Sequence, residues 1–402
     1  MKGNLLIAQS GGPTAVINSS CCGIIQKALE HREQIEGIYG AVNGILGVLN
    51  EVMVDLTKED SATLELLKQT PSSALGSCRY KLTEKDYSRV LSVLEVHNIR
   101  YCFFIGGNDT MDTANKVSNI AREHSYELRV IGVPKTVDND LIGTDHCPGY
   151  PSVARWLVIA VRDAGLDTKA IYTTDPVKII ETMGRDSGWI TASTALARDE
   201  PDDPPHLIYL PERPFEEGQF IKDVKRVYDR LGYVVITVSE GLKNKKGETL
   251  VESSTKVDVD AFGHAQRGGV ADYLCNLIKD RLKIKARFDK PGTIQRVSMM
   301  CVSEVDTEEA YQVGRVAVEQ ALQGKSGYMI ILERFPSDEY KCTTGLMQLE
   351  HVANLKKKMP NEFINDDGND VTKEFLEWAR PLIKPGLPEY ARLKRVTVKK
   401  KL

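Results

Sequence analysis

The sequence predicts an α/β protein of doubly wound organisation, and three observations carry that prediction. Short apolar runs recur along the chain, the earliest of them followed by a glycine turn and then a stretch of helical character. Glycines, lysines, arginines and carboxylates cluster just after those runs, where open α/β sheets bind ligands. At 402 residues and 42% hydrophobic content, the chain has room for two domains with buried cores.

Taken in order, Leu5–Ala8 reads as the first buried strand. It leads through Gln9-Ser10-Gly11-Gly12-Pro13-Thr14 into a helix ending near His31. Tyr101–Ile105 leads through Gly106-Gly107-Asn108-Asp109-Thr110 into a helix over Met111–His124, and Val130–Val133 leads into Pro134-Lys135-Thr136-Val137-Asp138-Asn139-Asp140. Further strands are expected at Lys178–Glu181, Leu207–Leu210, Tyr233–Val238 and Tyr328–Leu332. The first, third and fourth of these run into Gly184, Glu240-Gly241 and Glu333-Arg334. The acidic, proline-rich stretch Arg198–Pro205 reads as a surface loop, and the basic tail Arg392–Leu402 as a solvated end, the alternative being an arm that docks on the second domain.

Composition narrows the function classes. With 53 basic and 56 acidic residues the net charge is −3, which leaves no electrostatic footprint for nucleic acid. The eight cysteines include no C-x-x-C pair, which argues against a zinc site or a disulfide scaffold and fits a reducing cytoplasm. The adjacent Cys21 and Cys22 read as buried helix residues. No signal-peptide core opens the chain, and no apolar stretch approaches the ~18 residues of a membrane span. The expectation is a cytoplasmic protein with no membrane partner.

Gly11-Gly12, between strand and helix, aims N–H groups at an anion, although glycine turns also merely join elements. The Gly106–Thr110 loop has the same placement, and there Asn108, Asp109 or Thr110 can simply cap the helix. The segment Lys135-Thr136-x-Asp138-x-Asp140 is more telling, because a turn does not require a cation and two carboxylates within six residues. While the extended conformation lasts, Asp138 and Asp140 face the same way, one able to act as base and the other to bind Mg²⁺. Met183-Gly184-Arg185 and Phe262-Gly263-His264-Ala265-Gln266-Arg267-Gly268-Gly269 add arginines and an imidazole suited to a phosphate monoester. Taken singly, such an arginine or histidine is more often a structural partner than a ligand.

In this combination the chain resembles the phosphofructokinase family, and more closely its pyrophosphate-dependent branch. The resemblance runs in order through Ser10-Gly11-Gly12, Gly76-Ser77-Cys78-Arg79, Gly106–Asp109, Pro134–Asp140, Met183–Arg185, Glu240-Gly241 and Gly263–Gly269. It implies two Rossmann-like three-layer αβα domains with the active site in the cleft between them. Residues 1–149 plus 266–335 would form the phosphoryl-donor domain, and 150–265 plus 336–402 the fructose 6-phosphate domain. The implied reaction is Mg²⁺-dependent, reversible transfer from pyrophosphate to the C1 hydroxyl of fructose 6-phosphate. Asp138 is then the general base, with Thr136 and Lys135 as its catalytic companions. Gly11, Gly12, Arg79, Gly107, Asn108, Asp109 and Thr110 line the donor side. Thr136, Asp138, Lys178, Met183, Gly184, Arg185, Glu240, His264 and Arg267 hold the sugar phosphate, and Asn108, Asp109 and Asp140 are the metal candidates. A homodimer or homotetramer is implied.

Two positions bear on the donor. ATP-using members resemble Gly-Gly-Asp-Gly and Pro-Gly-Thr at these loops, whereas this chain has Asp109 and Lys135 in place of glycines. Repulsion between a carboxylate at 109 and a nucleotide α-phosphate ~4 Å away is about 4 kcal/mol at an effective dielectric of about 20, roughly a thousandfold discrimination. Lys135 adds positive charge where compact pyrophosphate lacks adenosine contacts. Asn108 stands where the family's metal-binding aspartate is usual, and offers a neutral oxygen. The two arginines that ATP-type relatives send across a subunit interface fall, counted back from Met183 and His264, on Pro176 and Asp258, so Lys178 is the candidate substitute. Allosteric control is expected to be absent. The alternatives are an ATP-dependent or sedoheptulose 7-phosphate kinase on the same fold, or a non-catalytic regulatory subunit, against which the retained Lys135, Thr136 and Asp138 argue.

Overall fold

A computed structural model describes residues 1–250, 258–259, 265–266, 269–337 and 339–401. The strands in chain order are β1 (Gly3–Gln9), β2 (Ile35–Ala41), β3 (Met53–Asp55), β4 (Ile99–Gly106), β5 (Arg129–Pro134), β6 (Val177–Thr182) and β7 (Leu207–Tyr209). They continue with β8 (Val234–Ser239), β9 (Asp258–Val259), β10 (Ala265–Gln266), β11 (Ala286–Asp289), β12 (Tyr328–Arg334) and β13 (Cys342–Gln348). One seven-stranded sheet has the order β13-β12-β5-β4-β1-β2-β3, parallel through its centre with an antiparallel strand at each edge. A second, all-parallel sheet has the order β11-β6-β8-β7, and β9 and β10 form a short antiparallel ladder.

The continuous apolar runs become strands because helices cover both faces of each sheet. Along β1, β4 and β5, alternate residues Leu5, Ile7, Tyr101, Phe103, Ile105, Ile131 and Val133 face the helices Ile17–Leu29 and Glu304–Leu322. Their neighbours Leu6, Ala8, Cys102, Phe104 and Val130 face the helices Glu84–Val96 and Asn108–Glu123. Burying each such large side chain contributes about 1.5–3 kcal/mol. The second sheet packs Ile180, Ile208 and Val235 under the helices Tyr150–Ala170 and Lys373–Ala379, and Ile179, Val234 and Ile236 under Glu217–Leu231 and Val270–Leu282. Each half is therefore a three-layer αβα sandwich. Two glycines let the first pair of helices meet backbone to backbone: a Cβ on Gly23 would strike the Tyr311 carbonyl, and one on Gly314 the Ser20 carbonyl.

Strand pairing departs from the expected division at two places. Residues 270–289 belong with the second sheet, since β11 pairs with β6 and the helix Val270–Leu282 packs into the same core. Residues 342–348 return to the first sheet, where β13 extends β12. Neither β11 nor β13 has an apolar run, because both are edge strands with only part of their surface covered. The basic tail divides between the two readings, docked where it begins and solvated beyond. Tyr390 donates to Asp163 at 2.6 Å, Arg392 grips Asp203 with two bonds at 2.5 and 2.8 Å, and Arg162 lies over the Tyr390 ring, while Leu393, Val396 and Val398 are exposed. All eight cysteines are free, with Cys21 and Cys22 buried in their helix as expected. Among the described residues no helix is long and apolar enough to cross a membrane.

Candidate active site

The chain leaves β1 in one direction for β2 and later returns on the other side as β4, so the large sheet has its switch point between β1 and β4. The register sets the strand ends level. Gln9 pairs with Ile105, and Gly106 with Pro134, so the loops after β1, β4 and β5 emerge side by side. In the first loop Gly11 has φ +77°, a conformation that favours glycine, and its N–H donates to Cys78 O at 3.2 Å. Ser10 and Ser77 tie the same two segments together at 3.1 and 2.5 Å, which brings Arg79 to this side of the site. The glycines also make room for cations. A Cβ on Gly11 would lie 3.2 Å from Lys135 Nζ, and one on Gly12 would lie 2.9 Å from the Arg296 guanidinium.

In the second loop Gly107 occupies the N-cap and no side chain caps the helix Asn108–Glu123. Capping therefore does not account for Asn108, Asp109 and Thr110, and the first N–H groups remain available to an anion. Thr110 is buried, packed beneath Gly106. Asp109 is 74% exposed and pairs with Lys81 at 3.2 Å.

The third loop holds the densest charge. Lys135 is only 2% exposed, and its ammonium donates to Gly12 O at 2.7 Å. Burial lowers its pKa to about 8; Asp138 and Asp140 oppose that shift, and Arg296 and Arg79 reinforce it. Asp138 is pushed above the usual carboxylate range by burial, against the pull of Lys135, Arg185 and Lys356. Its backbone N–H donates to Thr136 Oγ1 at 3.2 Å, while its carboxylate has no hydrogen-bond partner among the described residues. Asp140 is raised to about 6, first by burial and then by Asp138. The expected strand alternation does not relate these two carboxylates. β5 ends at Pro134, and Asn139 takes φ +53° with its Oδ1 accepting from Cys147 N at 2.9 Å, so a turn sets their directions.

Asn108 Nδ2 donates to Asp140 Oδ2 at 3.0 Å, and Asn108 Oδ1 is buried without any partner. An orphaned amide oxygen beside a carboxylate fits Mg²⁺, which is held by one or two protein oxygens together with substrate phosphates. No cluster of three His, Cys, Asp or Glu side chains suited to a metal occurs among the described residues. Of the three metal candidates, Asn108 and Asp140 come together, while Asp109 is taken up by Lys81.

On the opposite wall, the ends of β6 and β8 are level, Thr182 against Ser239. Gly184 has φ +117° and its N–H points at Glu240 Oε1, 3.4 Å away; Ser239 Oγ donates to Gly184 O at 2.6 Å. Burial raises the Glu240 carboxyl, with Arg185 acting against it. Arg185 itself has no hydrogen bond or ion pair among the described residues, and its charge reaches both Glu240 and Asp138. Lys178 is engaged elsewhere, with Asp289 on β11 at 2.9 Å. His264 and Arg267 lie outside the described residues.

Sequence reasoning missed Gln295 and Arg296. Gln295 is buried and accepts from Met183 N at 3.2 Å. Arg296 lies against Gly12 with its Nε buried and unpartnered, and burial together with Arg79 lowers its pKa. A signal existed: the string Gly-x-x-Gln-Arg occurs at 263–267 and again at 292–296. Lys135, Arg79 and Arg296 thus gather at one end of the cleft beside an open helix N-terminus, with Asp138 between them and the Met183–Arg185 loop. That arrangement can bind a polyanion at one side, an anionic acceptor at the other, and take a proton in between.

Known proteins resemble this chain over most or all of its length. The family described as phosphofructokinase matches residues 4–321. A pyrophosphate–fructose 6-phosphate 1-phosphotransferase of Xanthomonas campestris pv. campestris is 42% identical over 416 residues, covering 100% of this chain and 98% of the relative. The enzyme of the same name from Rhodospirillum rubrum is 43% identical over 408 residues, covering 100% and 99%. The crystal structure of a pyrophosphate-dependent phosphofructokinase from Marinobacter aquaeolei superposes with a TM-score of 0.86 at 40% identity, covering 100% and 98%.

Proposed function

Since the chain belongs to the phosphofructokinase family, we infer that it reversibly transfers a phosphoryl group from pyrophosphate to the C1 hydroxyl of fructose 6-phosphate. The products are fructose 1,6-bisphosphate and phosphate. The observation that carries the choice of donor is the buried Lys135 ammonium behind Gly11 and Gly12. One of its three N–H donors is used on Gly12 O, which leaves two for the phosphates of a compact donor. Gly11, Gly12, Gly107, Asn108, Thr110, Arg79 and Arg296 surround that donor. Asp109, at the first turn of the helix, keeps its carboxylate at the mouth of this loop although Lys81 pairs with it, and would oppose the extra phosphate of a nucleotide. Asn108 Oδ1 and Asp140 would hold Mg²⁺, which would supply positive charge to the donor phosphates when bound.

Asp138 accepts the C1 hydroxyl proton as the oxygen attacks phosphorus. Its raised pKa brings it closer to the pH at which it works, and its free carboxylate oxygens are open to the acceptor. Thr136 Oγ1 already accepts from Asp138 N, so its own O–H is left to donate to a substrate oxygen. Met183, Gly184, Arg185 and Glu240 orient the sugar phosphate, and the unpaired Arg185 suits bidentate capture of phosphate. His264 and Arg267 are counted as sugar-phosphate ligands by family resemblance alone.

A homo-oligomer in the cytoplasm completes the reading, supported by the family and by eight free cysteines. Asp258 lies six residues before His264. The same count from Thr293, in the second Gly-x-x-Gln-Arg string, reaches Arg287 on the edge strand β11, a candidate for one of the cross-subunit arginines. The test is the initial rate of fructose 1,6-bisphosphate formation with Mg²⁺ and either pyrophosphate or ATP. Turnover with pyrophosphate alone is expected; turnover with ATP alone overturns the donor assignment, and no turnover with either overturns the reaction.

A further inference from the structure

The loop Asp138–Asp140 is gripped at its main chain from two directions. Ser187 Oγ donates to Asp138 O at 2.9 Å, from the segment just after Met183-Gly184-Arg185. Lys357 N donates to Asp140 O at 2.7 Å, from the segment C-terminal to β13. The residues preceding these two are ion-paired with each other, Lys356 Nζ to Asp186 Oδ2 at 2.6 Å. The contacts therefore close a ring: Asp138, Ser187, Asp186, Lys356, Lys357, Asp140. Three stretches far apart in sequence meet in it, namely the carboxylate loop, the acceptor loop and the C-terminal segment.

We propose that Lys356 is a positioning residue for phosphoryl transfer, its ion pair with Asp186 closing this ring and holding Asp138 in register with the acceptor loop. The need for such a device arises from Asp138 itself. Its carboxylate has no hydrogen bond among the described residues, so its direction depends on where its main chain is held. Lys357 is anchored independently, its ammonium donating to Thr144 O and Asp145 O at 3.0 and 2.9 Å. Asp186 has a second, longer partner in Lys243 at 3.4 Å, which keeps it near the ring but does not join it to the C-terminal segment. The Lys356 and Asp186 side chains are about half exposed, 52% and 51%, so replacing either leaves the fold in place.

The inference rests on the phosphotransferase reading, and the experiment separates the two. Wild type, Lys356→Met, Lys356→Arg, Asp186→Asn and the Lys356→Met/Asp186→Asn double variant are assayed with pyrophosphate and fructose 6-phosphate, with active-site concentration and unfolding midpoint measured for each. Lys356→Met is expected to lower kcat about 10- to 100-fold with KM for fructose 6-phosphate changed less than about threefold, the signature of misplaced reacting groups. Lys356→Arg is expected to restore most of the rate, and the double variant to be no slower than the worse single one. Wild-type kcat per active site in Lys356→Met, or single effects that multiply in the double variant, overturns the proposal. A wild type that is silent with pyrophosphate overturns the functional reading instead.

Discussion

Replacing Lys135 with methionine separates the contribution of a buried cation to turnover from its effect on the fold. In the folded chain its pKa is about 8, against 10.5 for an ordinary lysine, chiefly because burial disfavours the ammonium. Below about pH 8 the charge is present in both states and is less well solvated in the folded one, so it destabilises the fold. Between about 8 and 10.5 the folded chain has released the proton while the unfolded chain keeps it, and stability rises with pH. The gap from 10.5 to about 8, at ~1.36 kcal/mol per pH unit, makes the penalty at pH 7 on the order of 3 kcal/mol. Methionine removes that penalty but leaves Gly12 O without its donor, a loss of about 1–3 kcal/mol. Without ligands at pH 7, Lys135→Met is therefore expected to be as stable as wild type or more stable by up to about 2 kcal/mol. Wild type should gain on the variant as the pH rises from 8 to 10. Pyrophosphate should raise the unfolding midpoint of wild type and hardly that of the variant, and turnover should fall about 10²–10³-fold. Denaturant and thermal unfolding across pH 7–10, with and without pyrophosphate, measure this. A variant clearly less stable than wild type at pH 7, with a difference that does not change with pH, would refute the argument from burial.

Three further outcomes are expected. Asp138→Asn should cut turnover by about 10²–10⁴-fold or more while leaving fructose 6-phosphate affinity nearly intact, and near-normal turnover would reject Asp138 as the base. Asp109→Gly combined with Lys135→Gly should shift preference from pyrophosphate toward ATP, read as the ratio of kcat/KM for the two donors; no gain with ATP would undercut the charge argument. Arg296→Met should lower kcat/KM by about tenfold or more, since it removes an unpaired guanidinium from beside Gly12, whereas a variant matching wild type would show that this arginine serves only the packing of its loop.

How much of the protein can be read from its sequence depends on how locally each feature is encoded. β1, β4, β5, β6, β8 and β12 are legible because helices bury both their faces, and burial on both faces writes itself as an apolar run. β2 contains two glycines and a glutamate, and β3, β11 and β13 lie at sheet edges with exposed residues, so none of them leaves that trace. The loops after β1, β4 and β5 are legible for a related reason. Gly11-Gly12, Gly106–Asp109 and Lys135–Asp140 each begin within a few residues of a strand end, so spacing alone places them where a parallel sheet presents its ligands.

The α/β class and the grouping of Lys135 and Asp138 in a loop at a strand end were thus determined by the sequence itself. The tertiary structure alone decided which partners meet there. It brought Arg296 against Gly12, left Asp109 to Lys81 and Lys178 to Asp289, and joined residues 186 and 356 around the carboxylate loop. It also assigned β11 to the second sheet and β13 to the first. These are relations between segments up to hundreds of residues apart. Side-chain periodicity reports whether a residue is buried, but the packing of helices and sheets fixes which distant residue it is buried against.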